Sequence, residues 1–167
     1  MGQVSVRVWH ASGDACGLVV CKRMFPEEIT RWLRENEDSG YASHRRGNRS
    51  SDLEMLAELG IPQNSEIGYF YLEFGPATVR GWYDLCEVDS IREATDFAHE
   101  ELGVPRHFLA LSGTEGQGVL LYDTNSGAIY DVEFGQFEDL QSGVKEPIAR
   151  SFSEYLSWCK GQDGGAR

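Results

Sequence analysis

Apolar and polar positions alternate strictly in QVSVRVWH, where Val4, Val6 and Val8 stand between Gln3, Ser5 and Arg7, the period of a half-buried strand. LVVC (residues 18–21) is its hairpin partner across a Ser-, Gly- and Asp-rich turn, so residues 1–25 predict an N-terminal β element. At Pro26 the period changes. PEEITRWLREN sets Ile29, Trp32 and Leu33 at helical spacing, with a proline suited to the first turn and acids at the positive end. GYASHRRGNRSS (40–51) shows neither period and predicts a polar, mobile loop in which His44, Arg45, Arg46 and Arg49 are solvated. SSDLEMLAELGIP predicts a short helix capped at Ser51 or Asp52 and closed by Gly60 and Pro62; NSEIGYFYLEFG predicts another, from Asn64 or Ser65 to Gly75, despite Gly68 inside it.

VRGWYDLCEV reads as extended. In SIREATDFAHEELGVP, Ser90 and Glu93 have capping-box spacing, and Ile91, Ala94, Phe97 and Ala98 form the apolar side. Gly103 and Pro105 then close the helix. FLALSG, GVLLYD and AIYDVE are three short strands at hairpin spacing, which predicts an antiparallel meander. Ser151 and Glu154 make a second capping box, opening SFSEYLSWC with Phe152, Tyr155 and Leu156 on one side. Residues 161–167 predict a frayed tail. Helices, then antiparallel strands, then a closing helix define an α+β fold: one domain over residues 26–160, with a mostly antiparallel sheet packed by helices.

Composition narrows the class. A chain of 167 residues with 41% hydrophobic residues, eight Phe and four Trp has enough apolar surface for one sizeable core. No apolar run reaches the length of a membrane helix, and MGQVSVRVWH lacks the order of a secretory signal, so a cytoplasmic protein without membrane partners is expected. Cys16, Cys21, Cys86 and Cys159 follow no disulfide-framework or zinc spacing, which suits a reducing compartment. The net charge is −12, and residues 1–50 carry eight Lys and Arg against six Asp and Glu. The acidity therefore lies beyond residue 50, a field that repels nucleic acid and steers basic partners inward.

Four pieces in order give the chain a likeness. ELGIPQNSEIGYFYLEFG, GWYDLCEVDSI, FLALSGTEGQGVLLYDTNSGAIYDVE and ARSFSEYLSW resemble four features of the SUKH (Smi/Knr-like) superfamily. These are its helix-Pro-helix entry, its aromatic strand running into a helix start, its Gly-rich turn with an Asp-turn-Gly hairpin, and its closing Ser-Phe helix. The resemblance covers residues 52–159; the β element at 1–25 and the long loop at 40–51 depart from it. It implies a SUKH-like fold and a bacterial immunity protein, a cytoplasmic antitoxin that blocks a toxin domain, often a nuclease, without catalysis. The fungal members imply the alternative, an intracellular scaffold or regulatory domain binding a self protein.

Chemical motifs fail one by one. Counted as a calcium loop from Asp123, the glycine position holds Ala128 and the closing glutamate position holds Phe134, so DTNSG predicts a hairpin turn with Gly127 left-handed. GTEGQG (113–118) precedes a strand rather than the helix a phosphate cradle needs. His99-Glu100 begins like a zinc-protease helix, yet Gly103 stands where the second histidine belongs. His10, His44, His99 and His107 are too scattered to pair with a nucleophile.

Carboxylates remain as the candidate surface. Asp131 and Glu133 project from one face of a strand, away from Tyr130 and Val132, and nothing encloses either for acid/base work. Glu93, Asp96 and Glu100 share a helix face, with Glu87 and Asp89 in the run leading into it. Together these seven acids predict one acidic docking surface, and the resemblance implies a basic toxin domain as its partner. No catalytic residue, metal or cofactor is expected.

Overall fold

The computed structural model describes residues 24–37, 39–79, 84–114 and 116–163, and side chains for these except at 39–48, 77 and 163. The predicted N-terminal β element thus lies outside the described residues, save for its last two positions. Of these, Phe25 is a core residue of the main domain, buried against Tyr69 and Phe74 at ring distances of 5.7 and 6.4 Å. Pro26 then sits at the N-cap of α1 (Glu27–Glu35), just ahead of the first turn, and Ile29, Trp32 and Leu33 are buried as their spacing predicts.

The stretch expected to be a loop is helical. α2 runs Ser39–Glu58 as one helix, with Ser51 and Asp52 inside it rather than capping it. Only Gly40 and Gly47 weaken the first half, at about 1 kcal/mol each against alanine, and a folded second turn propagates more cheaply than a new helix nucleates. Arg49 belongs to this helix and is bonded, donating to Leu72 O at 3.3 Å and pairing with Glu73 at 2.8 Å. A cation is well placed there, at the negative end of α3 (Glu66–Glu73). α2 ends as its sequence predicts. Gly60 is left-handed (φ 72°), its N–H donates to Ala57 O, and the Ile61 N–H reaches Leu56 O at 2.8 Å.

In α3 the Ser65 Oγ accepts the Gly68 N–H at 3.1 Å, as expected of a cap. Gly68 is there for space: a Cβ would overlap the Pro62 carbonyl, so only glycine lets the helix approach the preceding turn. A single 3-10 turn, Pro76–Thr78, follows Gly75. Of the predicted extended stretch, residues 80–83 lie outside the described residues; Leu85 then bridges Ser112, and the Cys86 N–H donates to Leu111 O at 2.7 Å.

α4 (Val88–Glu100) starts a turn earlier than the Ser90 capping box predicts. Ser90 is helical and bonds Asp89, while Glu87 occupies the N-cap position without capping the helix through its side chain. Burial of Val88 and Ile91 in the main core outweighs the local cap signal. Three strands follow, β1 (Phe108–Ala110), β2 (Gly118–Asp123) and β3 (Ile129–Glu133), paired antiparallel in the order β1-β2-β3, the predicted meander. The turn between β2 and β3 is built on Asp123, whose carboxylate accepts the Asn125 N–H at 2.8 Å and the Ser126 hydroxyl at 2.6 Å, with Gly127 at φ 79°. A short helix, α5 (Phe137–Gln141), is not foreseen by the sequence pattern. α6 (Phe152–Asp163) carries the second capping box, the Glu154 N–H donating to Ser151 Oγ at 3.1 Å and its carboxylate accepting the Arg150 N–H. It continues through residues 161–163, the start of the predicted tail.

This is an α+β domain with two apolar layers, one on each side of the sheet. Leu109, Leu111, Leu120, Tyr122 and Ile129 face a large cluster with α1, α2, α3 and α6, in which Phe70 and Phe152 meet at 5.0 Å. Phe108, Ala110, Val119, Leu121 and Val132 face a smaller cluster with Ala98 and Leu140. Every residue of β2 is buried, as a central strand covered on both faces must be. Among the described residues, no helix is long and apolar enough to cross a membrane.

Candidate functional site

α4 lies along the β1 edge of the sheet. Val88 and Ile91 enter the large cluster and Ala98 the small one, so the helix passes from one side of the sheet to the other. At the crossing, buried Thr95 turns its Oγ1 to the edge and accepts the Ala110 N–H at 3.0 Å. That bond satisfies a strand-edge donor that would otherwise invite another chain. Near the helix end, His99 Nε2 donates to Phe108 O at 2.8 Å, leaving Nδ1 toward Arg106 at 3.4 Å. His99 is therefore a tie between helix and sheet.

With its inner side fixed in this way, α4 presents acids outward. Glu87, Asp89, Glu93, Asp96 and Glu100 are all exposed, as are Asp84 before the helix and Glu101 at its end. Seven acidic side chains thus occur in residues 84–101 against the single Arg92. Arg92 is itself turned to Glu58 of α2, with which it forms a close ion pair. The field of these acids is felt by Cys86, whose thiol pKa is pushed up by burial first and then by Glu87 and Asp89.

Phe97 differs from expectation. It is 44% exposed and belongs to neither apolar cluster; Thr95 takes the inward place instead. Helical spacing places Phe97 four residues from Glu93 and three from Glu100, on the margin of the acidic face. The signal was available, since Glu93, Glu100 and Glu101 surround it, but Ala94 and Ala98 mimic a continuing apolar stripe.

The strand acids are elsewhere. β3 is the far edge of the sheet from β1, two strand spacings or about 10 Å away. Asp131 and Glu133 share the side of Ile129, opposite Tyr130 and Val132 as predicted, but that is the side on which α6 packs. Asp131 is half-buried and its charge contributes to raising the pKa of Tyr155, whereas Glu133 is exposed. The seven predicted acids therefore form two sets, five on and before α4 and two on β3, rather than one continuous surface.

Among the described residues, no group of three or more His, Cys, Asp and Glu is placed to hold a metal ion. Among the described residues, Cys86 is half-buried and Cys159 buried, and no disulfide joins them. No protein-family model, curated protein or solved structure matches the chain.

Proposed function

We propose that this is a non-catalytic, cytoplasmic binding protein of the SUKH type, an immunity protein that neutralises a basic toxin domain by covering it with the outward face of α4. The observation that carries this reading is the exposure of Glu87, Asp89, Glu93, Asp96 and Glu100 along one helix, in a protein of net charge −12. A nuclease toxin must expose Lys and Arg to bind phosphate, and such a surface attracts this one at long range, raising the association rate well above that of neutral partners. The helix is held at three points, by Val88 and Ile91, by the Thr95 bond and by His99, so the face is rigid before the partner arrives. The four-part sequence likeness to the superfamily points the same way.

The test is genetic and direct. The chain is co-expressed with the toxin encoded beside its gene, scored for rescue from killing, and the pair recovered by pull-down. Rescue with a stable complex is expected. Neither rescue nor binding with any neighbouring toxin would remove the reading.

A further inference from the structure

We draw no further inference here: the strongest candidate, the open groove of about 460 Å³ at the C-terminal end of α2, lined by Leu53, Leu56, Ala57, Gly60, Ile61 and Pro62, is a mostly apolar surface, and nothing among the described residues shows what covers it.

Discussion

Tyr155 is 1% exposed, and among the described residues its hydroxyl meets no hydrogen-bond partner of good geometry. Burial is the largest cause of its pKa lying far above the usual phenol range; the Cys159 thiol one turn on, a weak partner at best, adds to this, as do Tyr71 and Asp131. A buried hydroxyl without a bond costs roughly 1–3 kcal/mol. Tyr155→Phe should therefore leave stability unchanged or raise it by up to about 1 kcal/mol, measured by urea unfolding at neutral pH. The pH dependence has a definite sign. The unfolded tyrosine ionises near about pH 10 and the folded one well above, so the native state loses stability as pH rises past the unfolded value. Tyr155→Phe should flatten that alkaline loss. Gly68 gives the opposite expectation: Gly68→Ala improves helix propensity by about 1 kcal/mol, yet its Cβ meets the Pro62 carbonyl, so a net loss of about 1–3 kcal/mol is expected in the same assay. Individual residues were legible where chemistry is local. Asp123 and Gly127 announce their turn because both act within five residues, whereas the exposure of Phe97 depends on which side of α4 meets the sheet.

Elements were legible where a period was strong. The meander and α1 follow from spacing, and α3 and α6 from spacing with caps at Ser65 and Ser151 that are satisfied in the fold. The failures share one cause, tertiary packing overriding a local signal. α4 starts at Val88 because that residue is buried, making Ser90 an ordinary helical position. The first half of α2 has no apolar period, yet it continues a helix anchored by Leu56 and by the Arg49 bonds to α3. α5 is five residues long, too short for any periodicity to register. What holds α4 against β1 can be tested at one atom. Thr95→Val keeps the shape and deletes the acceptor of the Ala110 N–H, and a loss of about 1–3 kcal/mol is expected in thermal unfolding, with faster exchange of the Ala110 amide. An unchanged amide would show that the helix is held by apolar contact alone.

For the whole molecule, charge is legible in the sequence as a quantity and only partly as a pattern. The net −12 and its placement beyond residue 50 are plain in the sequence, as is the single face shared by Glu93, Asp96 and Glu100. That β3 lies at the opposite sheet edge from α4, so that Asp131 and Glu133 do not extend this face, follows only from strand order. The fold thus separates two acidic groups that alternation and helical spacing alone place together. Raising salt from about 0.05 to 0.3 M should slow association with a basic partner steeply and change dissociation little. The central claim is that α4 is the binding face, and the most direct measurement compares two neutralised variants against the neighbouring toxin at low salt. Glu93→Gln/Asp96→Asn/Glu100→Gln should weaken binding at least about tenfold, mainly through the association rate, while Asp131→Asn/Glu133→Gln stays within about threefold of wild type. The reverse order, with the β3 pair decisive and the α4 set silent, would contradict the account.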